Sequence, residues 1–390
     1  MLLWPRELLP SASSLETARY FSPAYLDRAD DFRSVQSLLG LAALATIVVG
    51  PVLAALVWPR RWLSDLGDRR AVPKAAGAAA ALVVFVQLAA LPWQAIAFTR
   101  SQRVGLAVQD FSDWFTDWAL GVAITAIVAA LIGAAVIRLV RRFGRRWWAS
   151  LAGLAILIAF AWALLAPVLI DPIFASFEPA GKSQRTERIE SLARRAGVDP
   201  GRVYVVDAAK RTTAANAYVT GIGPTRRVVL YDTLERGFDD RERDLVTAHE
   251  LSHAKHQDIL RGLLWFTIVA PFGAYGVATL AGALARRRGV DLRAPGGVVM
   301  VFAAVAIVIA LCQPAANALS RRVEARADAF AIRITGDPEG AIALERRLTV
   351  RNVGRPAPPA LLQLLLGTHP TPIERIGSAE TVRRERSRSR

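Results

Sequence analysis

Three of the four histidines of this chain stand within eight residues of one another, in the stretch TAHELSHAKHQD (247–258). His249 and His253 are four residues apart, so on a helix both imidazoles project from one face. That is the bite one tetrahedral metal ion asks of two ligands. Glu250 falls about 100° round the helix from His249, near enough to reach a water beside the ion without being a ligand. The H-E-x-x-H spacing therefore describes a zinc site that activates water against a polarised carbonyl. The competing reading is a solvated helix end rich in His. His256 shares the face, but its spacing does not match the extended H-E-x-x-H-x-x-G-x-x-H pattern, and we read it as an outer residue.

A catalytic zinc takes a third protein ligand and leaves one position open. VEARAD (323–328) offers Glu324 and Asp328, four residues apart on one helix face. Glu324 could bind the ion while Asp328 accepts the free N–H of a ligating His. The alternative is a surface ion pair with Arg321, Arg322 or Arg326. His369 lies in GTHPTPIERI, where Pro370 holds the preceding residue extended. It could donate to an oxyanion or be a plain turn histidine.

These residues must be positioned by a very apolar chain. Of its 390 residues 53% are hydrophobic, with a positive mean hydropathy, which excludes an ordinary soluble protein. Six runs are long enough to cross a bilayer, at about 20 residues each: Val35 to Trp58, Ala75 to Phe98, Trp118 to Ile137, Trp147 to Ile170, Ile259 to Leu284 and Gly297 to Leu319. Trp58, Trp62, Trp93, Trp114, Trp118, Trp147, Trp148 and Trp265 flank them as an interfacial belt does. The net charge of +16 arises from basic residues beside apolar runs, so the partner is the lipid bilayer and not nucleic acid. Cys312 is the sole cysteine, so no internal disulfide forms. Residues 1–14 lack the order of a cleavable signal peptide, and the N-terminus is expected to be retained.

The expected organisation is a polar segment at 1–34, four membrane helices within 35–170, a polar insert at 171–258 ending in the histidine helix, two more membrane helices within 259–319, a C-terminal part at 320–378 and a basic disordered tail at 379–390. Within the insert, residues 183–198 read as a helix, while RVYVVD (202–207), AANAYVTG (214–221) and RRVVLYD (226–232) read as strands. The histidine helix is expected over 240–257, and SRRVEARADAFAIRIT (320–335) as a helix after the sixth run. Two crossings separate the insert from this last helix. Both therefore lie on the same side of the membrane and can meet.

Taken together, VVDAAKRTTAANAYVTGIG (205–223), RRVVLYDTL (226–234), HELSHAKHQD (249–258), the run from Glu324 to Asp328 and THPTPIERI (368–376) resemble the integral-membrane zinc peptidases typified by CAAX prenyl protease 1. The likeness runs from about Ala18, in ARYFSPAYLDRADDF, to Ile376. It implies a mainly α fold: a polytopic bundle of about six transmembrane helices with a zincin-type α+β metalloprotease domain of the gluzincin kind. It also implies one Zn2+ per chain held by His249, His253 and Glu324, with Glu250 as general base, Asp328 in support and His369 stabilising the transition state. Asn216, Ala217 and Tyr218 would form the edge strand that pairs with an extended peptide. The implied partners are peptide or membrane-protein substrates, and the location a cell membrane crossed several times, in a bacterium by its Ala- and Arg-rich composition.

Charge and resemblance disagree on orientation. The connections at 59–74, 138–146 and 285–293 carry five, five and four basic residues, whereas 99–117 carries two. Charge places the three basic connections in the cytoplasm and the zinc domain outside; the resemblance implies the reverse. The alternative function, a transporter or scaffold with a structural or degenerate zinc site, is disfavoured because no carboxylate or Lys lies inside the apolar runs.

Overall fold

The computed structural model describes residues 15–58, 70–181 and 183–388. The signal-peptide reading of residues 1–14 and the placement of Trp62 lie outside the described residues. The protein is mainly helical, with a small sheet, and is a multi-pass membrane protein. Long apolar helices α1 (Pro23–Val57), α2 (Ala71–Arg103), α3 (Phe111–Phe143) and α4 (Trp147–Leu169) come first. One 64-residue apolar segment, Phe111–Phe174, contains both α3 and α4. As one unbroken helix it would be about 96 Å long, three times the hydrocarbon thickness. Gly144, at φ +51°, breaks it, so each of the six expected runs lies on a helix.

Helix α1 starts earlier than the apolar run: Pro23 sits in its first turn and Ser22 Oγ accepts from Tyr25 N. Along α2 the buried side chains Ala71, Ala75, Ala79, Leu82, Val86 and Ala90 recur at helical spacing. Their small size admits α3 closely. A Cβ on Gly133 would stand 2.7 Å from Ala79 Cβ and 3.0 Å from Ala75 O, so this contact requires glycine. Leu38, Ile127, Leu131, Phe272 and Leu311 are each more than 60% exposed. Chains of this size tolerate such exposure when the surroundings are lipid.

The insert forms a sheet in the order β1-β2-β4-β3 from β1 (Phe177–Pro179), β2 (Arg202–Val206), β3 (Ala217–Thr220) and β4 (Arg227–Tyr231). β2 and β4 are parallel; β3 runs antiparallel to β4 and is an edge. The three expected strands are present, the middle one shorter than AANAYVTG. Helix α5 (Gln184–Ala196) is capped by Ser183 and stopped by Gly197 at φ +62°. Helix α6 (Asp240–His256) carries the histidines and opens on a reciprocal cap between Asp239 and Glu242. Leu245 and Ala248 bury against Val228 and Leu230 of the sheet.

Gln257, left-handed at φ +52°, turns the chain from α6 directly into α7 (Asp258–Arg288). The sixth run and the helix expected after it are one element, α8 (Gly297–Thr335). At 39 residues it is about 58 Å long, so its final turns project beyond a hydrocarbon core of about 30 Å. Those turns carry Glu324 and Asp328 to α6. Helices α9 (Pro338–Arg351), α10 (Ala360–Leu366) and α11 (Pro372–Arg388) complete the chain.

Two expectations need correction. Residues from 379 to 388 are not a disordered tail but the last turns of α11: Ala379 and Glu380 are buried and Glu380 accepts from Tyr20 Oη at 2.8 Å. Apolar anchoring at Ile376 and Ala379 outweighs the basic sequence. Nor is 1–34 a separate polar segment, because α1 continues from Pro23 into the membrane.

Candidate active site

Helices α6 and α8 bring the three donors together. His249 Nε2 lies 3.2 Å from His253 Nε2 and 3.2 Å from Glu324 Oε2, and His253 Nε2 lies 3.7 Å from Glu324 Oε1. Four-coordinate ions with bonds of about 2.0–2.2 Å hold tetrahedral ligands about 3.3 Å apart. The set therefore fits such an ion.

Each imidazole is oriented by a carboxylate at its other nitrogen. His249 Nδ1 is 3.0 Å from Asp328 Oδ1, and His253 Nδ1 is 3.0 Å from Asp258 Oδ2. An Nδ1–H donated to the carboxylate would leave the Nε2 lone pair free for a metal. The carboxylates are themselves clamped. Arg375 donates to Asp328 through Nε at 2.9 Å and Nη2 at 2.6 Å, and its Nη1 stands 2.8 Å from Glu345 Oε2. Arg326, 3% exposed, donates to Asp258.

Burial opposes a charge on His249, but the hydrogen bonds and negative charges of Asp328 and Glu324 outweigh it and raise its pKa to about 10. Without an ion these carboxylates favour the protonated form of the imidazole. Burial pushes the Glu250 carboxyl up, against the pull of His249 and His253; a raised carboxyl is suited to taking and returning a proton near neutrality. Burial likewise raises Glu345.

The edge strand lines the same cavity as these groups. Asn216 presents its C=O to Tyr231 N of β4 at 3.0 Å, so by the period of two Ala217 and Val219 turn their main chains to the open side. Asn216 itself is exposed, Ala217 buried and Tyr218 half-buried. Asn216 Oδ1 accepts from Ala217 N at 2.9 Å. His369, in the turn between α10 and α11, has Nε2 at 3.3 Å from Glu324 Oε2, with a side chain 60% exposed. A cavity of about 640 Å³ contains all of these, lined also by Asn352 and Arg375. His256 is turned away, with Nδ1 at 2.8 Å from Ser252 O.

His249, Glu250, His253, Glu324, Asp328, His369, Asn216, Ala217 and Tyr218 all line this cavity, whereas His256 does not. Asp258, Arg375 and Glu345 were not singled out, and Arg326 was named only as an alternative ion-pair partner. Asp258 does carry a signal, closing the string HELSHAKHQD, but only the Gln257 turn folds it back onto His253. Of the arginines near Glu324 in sequence, Arg326 is committed to Asp258, and Arg321 donates to Gln363 O and Gly367 O.

A mainly helical membrane bundle with an H-E-x-x-H helix, a carboxylate from a second helix and an adjacent sheet edge defines a membrane-embedded metallopeptidase architecture. The family model for peptidase family M48 matches residues 179–383, and that for the CAAX prenyl protease N-terminal region, five membrane helices, matches residues 22–176; the chain belongs to peptidase family M48. It is 31% identical over 250 residues to the uncharacterized metalloprotease YhfN of Bacillus subtilis, an overlap of 62% of this chain and 58% of that protein. It is 33% identical over 172 residues to a CAAX prenyl protease 1 homolog of Arabidopsis thaliana, covering 43% and 41%. The chain thus spans 58% or less of the length of these curated relatives. The crystal structure of S. mikatae Ste24p superposes with a TM-score of 0.79 at 19% identity, over 97% of this chain and 93% of that one. That likeness concerns the fold.

Proposed function

We propose that the protein is a zinc-dependent endopeptidase that cleaves peptides or membrane-associated proteins at the bilayer surface. The observation that carries this reading is the set His249, His253 and Glu324, with Glu250 beside them and a sheet edge along the same cavity. Two imidazoles and a carboxylate at tetrahedral spacing suit Zn2+. When bound, the ion supplies Lewis acidity that polarises the scissile carbonyl and acidifies water.

The remaining work belongs to the chain. Ala217 and Val219 offer main-chain groups to an extended peptide, as an edge strand does for any backbone. Glu250 takes the proton of the attacking water and passes it to the leaving amine nitrogen. His369 donates an N–H to the oxygen that gains charge. Asp328 and Asp258 keep the imidazoles in the ligating tautomer. The α6–α7 turn sets the site where the chain enters the membrane, so substrates arrive along the bilayer.

The test uses the detergent-solubilised full chain and a casein-type substrate. Glu250→Gln should retain one zinc per chain and lose turnover by about 10²–10⁴-fold. A chelator should abolish cleavage and Zn2+ should restore it. Normal cleavage by Glu250→Gln would overturn the assignment.

A further inference from the structure

The open side of β3 ends abruptly. Ala215 lies two residues before Ala217 and, by the same alternation, faces the same side. Its main chain is already paired. Ala215 N donates to Asn352 Oδ1 at 3.2 Å, and Asn352 Nδ2 approaches Ala215 O at 3.5 Å. The planar amide of Asn352 thus offers one acceptor and one donor to one residue's N–H and C=O, which is what a peptide group of an added strand would offer. Just before it, Arg351 Nε donates to Thr213 O at 2.9 Å. The segment from α9 therefore occupies the continuation of the edge.

The Asn352 segment is held rigidly. Arg33 on α1 donates to Asn352 O at 2.5 Å and to Val353 O at 2.7 Å. Tyr25 Oη reaches Thr349 O at 2.8 Å and Gly354 O at 2.6 Å. Val353 has φ +47°, in the left-handed region that a β-branched residue avoids. Such a conformation persists where surrounding bonds over-determine it. The braces come from the first membrane helix and fix Asn352 against the edge.

We infer that Asn352 is the specificity-determining end stop of the substrate edge, a side-chain amide that takes the place of the next peptide group and limits how many substrate residues extend on that side of the scissile bond. This inference rests on the peptidase reading above. A substrate pairs with Ala217 and Val219 and then meets the Asn352 wall. Bonds a few residues from one terminus of a polypeptide are cut faster than bonds deep within it.

The experiment takes one peptide core lengthened one residue at a time at either terminus, with the full chain in detergent. Wild type should lose kcat/KM by about tenfold or more on extension at one end only, the effect of main-chain bonds that cannot form. Asn352→Gly should shrink the long-to-short discrimination to about threefold or less and spread the cleavage positions seen by mass spectrometry. Asn352→Asp keeps the acceptor for Ala215 N but cannot donate to Ala215 O. It should fall between the two, and provides a second reading should Asn352→Gly fold poorly. The same peptides are titrated by fluorescence anisotropy onto Glu250→Gln, alone and with Asn352→Gly. One-ended length dependence of binding without cleavage by wild type would retain the end stop and remove the peptidase reading. Cleavage with equal tolerance at both ends, or a length dependence unchanged by both Asn352 variants, would overturn the end stop and leave the peptidase reading intact.

Discussion

His249 and His253 point at one place but are held by unlike supports. The His249 arm draws on three separate helices: Asp328 of α8, gripped through two donors by Arg375 of α11, which also holds Glu345 of α9. The His253 arm is local. Asp258 stands five residues along the chain, beyond the left-handed Gln257, with Arg326 as its clamp. The first arm measures whether α8, α9 and α11 have assembled, and the second whether the Gln257 turn has formed against α8. Losing the first should therefore disturb fold and metal together, whereas losing the second should loosen one ligand.

Cutting the first arm at its centre has the largest expected effect. Asp328→Ala takes from the half-buried Arg375 its two-donor partner, leaving it Glu345, and should cost about 2–3 kcal/mol, read as a fall in the unfolding midpoint in detergent; a fall under about 0.5 kcal/mol would mean the network is not structural. Asparagine at the same positions tests orientation with less loss of packing. Asp328→Asn should weaken zinc binding towards about 100-fold and Asp258→Asn towards about tenfold, as measured by competition with a chelating dye. The reverse order would invert the comparison.

The pH response belongs to the first arm. His249 gains a proton-holding site on folding, its pKa raised from 6.5 to about 10. In chelator-treated protein that contribution is complete below pH 6.5 and is lost as pH rises through about 10. Melting temperature should fall across this window, and zinc, which takes the place of the proton, should flatten the dependence. The smallest effect probes the turn: Gln257→Val forces a β-branched residue to φ +52° and should cost about 1–2 kcal/mol, with a loss of zinc affinity no larger than that of Asp258→Asn.

The same contrast explains what could be read in advance. The membrane runs, the three strands and the group His249, His253, Glu324, Asp328 were legible because each depends on spacing within one element, and topology required the insert and α8 to meet. Arg375 sits in the run THPTPIERI but, like Glu345, has no spacing that gives its role; only packing of α9 and α11 against α8 reveals it. Arg326 was legible only as an alternative ion-pair partner for Glu324; its partner, Asp258, lies 68 residues away on α7. The tail failed for a related reason: its basic composition suggests solvation, whereas Tyr20 and the apolar residues of α11 decide its state.

Helix α8 has a mechanical consequence. The rod that crosses the bilayer also carries Glu324, so the proposed ligand and the membrane segment move as one body. From mid-membrane to Glu324 the lever is about 20 Å, and helices relieve a mismatch with bilayer thickness by tilting. A tilt of about 10° would displace Glu324 by about 3.5 Å, about as far as neighbouring ligands stand apart. Lipid thickness thus becomes a dimension of the site itself. Turnover compared between short-chain and long-chain lipid vesicles reads it directly; equal rates would show that the helix bends, at Pro314 within it, before the strain reaches the ligand.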